Sequence, residues 1–270
     1  MRTFGVPHLP VEGAKIETMA PTSPVPPTGW ISDGSPEKSG SSAAGSPGLP
    51  SDPADRRPKL RGWIHEAAFP FVVGGGLFLV LEAPTTSGRL AATVYTLASA
   101  VLFGVSALYH RGTWPPERRA QLRRLDHANI YLLIAGTYTP VAVLALHGAA
   151  RLAVLVSVWS AAAAGVTFRL LWINAPRWLY TPLYALVGWV IVLVVPQLLN
   201  GAGAWPFTLI MAGGVLYSLG GLVYGMQRPD PWPRVFGFHE VFHALTVLAY
   251  AAQYAAISLI VVPGLRATAI

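Results

Sequence analysis

Seven apolar segments fill the chain from about residue 62 onward, at 64–82, 89–109, 127–147, 151–172, 178–199, 204–226 and 239–262. Most reach the roughly 20 residues that a helix needs to cross about 30 Å of hydrocarbon. Inside a bilayer every backbone N–H and C=O must be satisfied internally, so runs of this length read as helices. The first is the weakest, because Glu66 and Glu82 bracket a short run that contains Gly74-Gly75-Gly76; without it six spans remain. A large soluble bundle would need polar outer helices to cover such segments, and the sequence has none. Composition agrees, with 53% hydrophobic and 11% charged residues against about 25% charged in soluble domains. The expected fold is an all-α integral membrane protein of seven transmembrane helices.

Residues 1–60 have the opposite character. They are rich in Pro, Ser and Gly, as in Met19-Ala-Pro-Thr-Ser-Pro, and poor in large apolar side chains. Such a segment cannot bury enough surface to offset its ordering entropy, so a disordered tail is expected over 1–60, ahead of a seven-helix domain over 61–265. No basic start followed by an apolar run occurs in it, and no signal peptide is expected there.

Charge sets the expected orientation. Arg56, Arg57, Lys59 and Arg61 precede the first span, and Arg111, Arg118, Arg119, Arg123 and Arg124 lie between the second and third. Arg169 and Arg177 flank the next loop on that side, and Arg228 and Arg234 the last. The opposite side holds only Arg89, Arg151 and Arg266. Basic residues favour the cytoplasmic side, which places the N-terminus in the cytoplasm and the C-terminus outside. The same asymmetry accounts for the net charge of +7. The basic clusters lack interleaved aromatics, so a nucleic-acid partner is not expected.

Ionisable groups at membrane depth are costly and usually functional, and here they fall in three places. Ser106 and His110 end the second span, Asp126 and His127 open the third, and His239, Glu240 and His243 open the seventh. By the charge-derived topology all three places lie at the cytoplasmic face. His239 and His243 are spaced i, i+4, so they share one helix face and can share a metal. With Glu240 they spell His-Glu-Val-Phe-His, the pattern of zinc metalloproteases in which Glu is the general base. A third ligand is needed, and no His, Asp, Glu or Cys follows His243. It must come from upstream, where His110 is the best placed, and this argues against an intramembrane protease. The chain has no cysteine, so no thiolate ligand or disulfide exists.

Ser106 is i, i+4 from His110 and reads either as a site hydroxyl or as a helix-internal hydrogen bond. Gly104-Val-Ser106-Ala-Leu lacks the second Gly of a nucleophile elbow. Asp126 reads as a helix N-cap or surface ion pair, or as a carboxylate beside a metal. His127 is left out of the ligand set, His147 belongs to the far end of the third span, and His8 and His65 are placed ahead of the spans.

These elements resemble the hemolysin III family, a bacterial branch of the progestin and adipoQ receptor superfamily. The resemblance covers about residues 62–262 and rests on Ser106-Ala-Leu-Tyr-His110, Leu125-Asp-His-Ala-Asn-Ile130 and Leu133-Ile-Ala-Gly-Thr-Tyr-Thr-Pro140. It continues in Tyr184-Ala-Leu-Val-Gly-Trp189, Gly213-Gly-Val-Leu-Tyr217 and Phe236-Gly-Phe-His-Glu-Val-Phe-His243. It implies a multi-pass protein of the plasma (inner) membrane with seven helices and its N-terminus inside. It also implies a zinc ion held by His110, His239 and His243, with Ser106 and Asp126 near the metal-bound water.

Three imidazoles with one open position suit a catalytic zinc. The leading expectation is a zinc-dependent hydrolase of a lipid amide or ester, ceramidase-like, with Asp126, or less favoured Glu240, taking the water's proton and Ser106 as hydrogen-bond partner. The alternative is a non-enzymatic receptor, or a cytolytic pore-forming protein, with a structural zinc. A pore needs a continuous polar lining, which these spans do not supply.

Overall fold

The computed structural model describes residues 58–265. The tail expected over 1–60 lies outside the described residues except for its last three positions, as do Arg56, Arg57 and Arg266. Eight α-helices follow in chain order: α1 (Trp63–Glu82), α2 (Thr86–Arg111), α3 (Pro116–Ala145), α4 (Gly148–Leu171), α5 (Arg177–Gly188), α6 (Val195–Ala202), α7 (Ala204–Met226) and α8 (Phe238–Val261). A 3₁₀ turn, Val190–Val194, joins α5 to α6, and the three pieces form one span. Seven helical spans are long and apolar enough to cross a membrane, and no β-strand occurs among the described residues. The all-α, seven-span expectation therefore holds.

Successive helices α1 to α4 pack as neighbours, α7 packs on α8, and α8 returns to α1 to close the ring. The central element is α3, which touches α2, α4, α5, α6 and α8 and is the most buried span. It starts at Pro116, well before the apolar segment at 127. Pro116 sits in the first turn, where its missing N–H costs nothing. Glu117 to Arg124 extend the helix beyond its apolar part, so Asp126 and His127 lie inside the helix. The N-cap reading of Asp126 is thereby corrected.

The fifth span is not the continuous helix expected over 178–199. Gly188 and the β-branched run Val190-Ile191-Val192 weaken it, and Pro196 removes an N–H. Tyr138 of α3 bridges the break. Its hydroxyl donates to the Gly188 carbonyl at 2.7 Å and accepts from the Ile191 N–H at 2.8 Å. Backbone freed at membrane depth is thus satisfied from a neighbouring helix.

The triple glycine that weakened the first segment on paper lets α1 dock. A Cβ on Gly76 would lie 2.3 Å from Thr96 Cγ2 of α2, and one on Gly75 would lie 3.0 Å from the Tyr254 ring of α8. Tyr254 in turn donates to the Gly75 carbonyl at 3.1 Å. A Cβ on Gly74 meets nothing within 4 Å. Gly76→Val should therefore cost about 1–3 kcal/mol of stability through overpacking, read as a lowered unfolding temperature in detergent, while Gly74→Val stays near the parent. Equal stability of the two variants would contradict this docking.

Candidate metal centre

The first two turns of α8 carry His239 and His243 on one face, with ring centroids 4.5 Å apart. His110, in the last turn of α2, brings its Nε2 to 3.2 Å from His239 Nε2, and its ring lies 5.0 Å from that of His243. Each of the three rings offers a nitrogen within 4.8 Å of the other two, a cluster able to hold one metal ion. Two nitrogens on one tetrahedral zinc, each at about 2.0–2.1 Å, stand about 3.3 Å apart. The His110–His239 spacing matches that distance, so the donor set fits such an ion.

Asp126 stands beside this set and not in it. Its Oδ2 is 3.7 Å from His110 Nε2, and the Ser106 hydroxyl lies beside its carboxylate. Asp126 and Ser106 are both buried. The two residues expected near the ligands are therefore adjacent to each other and to the cluster.

Glu240 has a different task. Its Oε2 accepts the Gly237 N–H at 2.9 Å and its Oε1 pairs with Arg61 Nε. Asp230 Oδ1 accepts the Phe238 N–H at 2.8 Å. Two carboxylates thus satisfy amides at the start of α8 that lack partners within the helix, where the helix dipole favours negative charge. The His-Glu-Val-Phe-His string resembles the protease signature, but its Glu caps the helix. The strand of chain before α1 joins in: the Lys59 and Leu60 amides donate to the Arg234 and Val235 carbonyls at 3.0 and 3.1 Å.

His65 corrects the sequence reading that placed it ahead of the spans. It lies in the first turn of α1 and is 2% exposed. Its ring stacks on His243 at 3.9 Å with 5° between planes, and Phe103 packs on it at 4.8 Å. Neither ring nitrogen has a hydrogen-bond partner. The sequence signal was available, since an imidazole one turn into an apolar span is costly unless it is used. His127 is not one of the three clustered histidines, and its Nδ1 accepts from Arg169. His147 stands at the far end of the bundle, at the junction of α3 and α4.

A cavity of about 310 Å³ opens inward from these residues. Asp126, His239 and His243 line one end, and Trp189, Gly214 and Gln253 lie deeper. Ten residues separate His243 from Gln253 along α8, or about 15 Å at 1.5 Å per residue. Most of the wall between them is aromatic or aliphatic.

Fold and cluster together define a multi-pass helical membrane protein with a three-histidine site at one end of the bundle, beside a deep apolar cavity. A family model described as Haemolysin-III related matches residues 55–254. The chain is 30% identical over 190 residues to Hemolysin-3 of Bacillus cereus, covering 69% of this chain and 84% of that protein. It is 33% identical over 165 residues to a Hemolysin-3 homolog of Bacillus subtilis (strain 168), covering 60% and 73% respectively. The chain belongs to the hemolysin III family.

Proposed function

We propose that the protein is a zinc-dependent hydrolase of a lipid amide or ester, seated in the plasma (inner) membrane with the histidine cluster at its cytoplasmic face. The observation that supports this most is the combination of three clustered imidazoles with a buried carboxylate that is not one of them. A closed structural site would use a fourth protein ligand, and Asp126 stays outside the set. The excess of basic residues at the cluster end supports the orientation.

His110, His239 and His243 would hold the ion. When bound, zinc supplies Lewis-acid polarisation of a carbonyl and makes water a nucleophile near neutral pH. The chain's own residues do the rest. The largely apolar cavity takes up an apolar chain, so the polar linkage of a lipid is left at the cluster end. Asp126 accepts the proton that the attacking water loses at its carboxylate and returns it to the departing amine or alcohol. The Ser106 hydroxyl donates to the ionised Asp126 carboxylate and orients it; once Asp126 has taken up the proton, that O–H is free to turn to the oxyanion that develops on the carbonyl. His65, stacked flat on His243, fixes the plane of that ring. Arg61 and Glu240 hold the first turn of α8, which sets the spacing of His239 and His243.

Two variants test this reading. Asp126→Asn keeps the shape of the site and removes the base. Hydrolysis of a panel of long-chain N-acyl amides and acyl esters should fall about 100-fold or more while bound zinc is unchanged. Undiminished turnover would remove Asp126 from the chemistry. For His65, the apo-protein is titrated with zinc. His65→Ala should weaken zinc affinity about tenfold, in the lower range for groups that orient metal ligands, and His65→Phe, which keeps a flat ring on His243, should restore most of it. Equal affinity in parent, Ala and Phe proteins would deny His65 that role.

A further inference from the structure

Arg169 is a fully buried cation with no anion. It lies in the last turn of α4 and is 0% exposed. Its Nη2 donates to His127 Nδ1 and lies 3.5 Å from the Ile173 carbonyl oxygen, while Nε and Nη1 are buried without partners. The guanidinium lies 4.2 Å above the Tyr180 ring. Arg177, the first residue of α5, repeats the pattern. It is half-buried, stands 5.1 Å from the Tyr224 ring and 5.9 Å from that of Phe238, and its Nη1 is buried and unpartnered. The hydroxyls of Tyr180 and Tyr224 are hydrogen-bonded at 3.1 Å, so one tyrosine pair carries both guanidiniums.

The nearby carboxylates are engaged elsewhere. Asp126 faces His110 and Ser106, Asp230 caps Phe238, and Glu240 holds Arg61. Among the described residues neither arginine has an acidic partner. A buried guanidinium with unused donors is strongly unfavourable unless an anion compensates it. Guanidinium is well matched to phosphate in geometry and charge.

The depth of the pair indicates where the anion comes from. Trp172 and Trp178 bracket the α4–α5 corner and are 51% and 75% exposed on its outer side. Tryptophans in such positions mark the level of lipid headgroups. Below them the fifth span is the least buried of the seven and turns Leu186 and Leu193 outward. Basic pockets between spans on this kind of face bind phosphate-bearing headgroups.

We propose that Arg177 and Arg169 form a binding site for the phosphate of a membrane lipid at the α4–α5 corner, with the acyl chains laid against α5. Arg177, the more exposed, contacts the phosphate, and Arg169 supplies fixed positive charge from behind Tyr180. Tyr224 also stands edge-on to His239 at 5.7 Å, so the occupied site adjoins the histidine cluster. The site stands on the arginines alone and does not rest on the metal reading.

The test uses the full chain in micelles of an uncharged sugar detergent. Fluorescent phosphatidylglycerol and diacylglycerol of identical acyl chains are titrated in parallel. The parent should bind phosphatidylglycerol about tenfold more tightly, the scale of one charge-assisted phosphate contact. Arg177→Gln should bring the two lipids together, and Arg177→Lys should restore part of the difference. Arg169→Gln should weaken it as well; if that chain fails to fold, the Arg177 pair carries the test. Equal binding of the two lipids by the parent, or a preference intact in Arg177→Gln, overturns the proposal. Displacement of phosphatidylglycerol by inorganic phosphate at matching concentration overturns the lipid as source and assigns the site to the free anion. Failure of inorganic phosphate to displace it supports the lipid.

Discussion

Hydrocarbon offers no partner to a backbone amide or carbonyl, so each one freed inside this bundle must be answered by another group of the chain. Tyr138 does this for the broken fifth span by serving one carbonyl and one N–H on either side of the break. Asp230 and Glu240 do it for the first amides of α8, and Arg61 compensates the Glu240 charge. The same constraint concentrates the chemistry. The three histidines, His65 and Asp126 fall where α1, α2, α3 and α8 meet at one end, beside a largely apolar cavity.

This arrangement gives different surroundings to residues that look equivalent in sequence. Asp126 and Glu240 are both buried carboxylates near the histidines. Glu240 is held by a guanidinium and a backbone amide and anchors the helix that bears two of the histidines. Asp126 faces His110 and Ser106 and borders the cavity. The i, i+4 geometry of His239 and His243 is set by α8, but their distance to His110 depends on how α8 closes against α1 and α2. Gly76 and Gly75 permit that closure, and the His65–His243 stack and the Arg61–Glu240 pair complete it at the site end.

Much of this was legible in the residues. Span length and apolarity located seven helices, and the i, i+4 histidines with His110 upstream located the cluster. What was missed has physical reasons. Apolarity marks only the part of a helix that lies in hydrocarbon, so the polar start of α3 from Pro116 to Leu125 was invisible and Asp126 read as a helix opener. Pro196 and the valine run hinted at a broken fifth span, but the Tyr138 contacts that make the break tolerable span about fifty positions of sequence. His65 was passed over because its value lies in a ring stacked on it from the far end of the chain. The HExxH string misled in one respect: local spacing cannot show whether Glu240 faces the site or the helix terminus.

The central claim is that the three histidines hold a metal ion, and the most direct measurement is the metal content of the purified full chain beside His239→Ala/His243→Ala. The account predicts about one zinc per folded chain and none in the double variant, the expectation for a three-imidazole site. A folded parent protein that binds no divalent metal when zinc is supplied would contradict it, and the cluster would then be a hydrogen-bonded imidazole network.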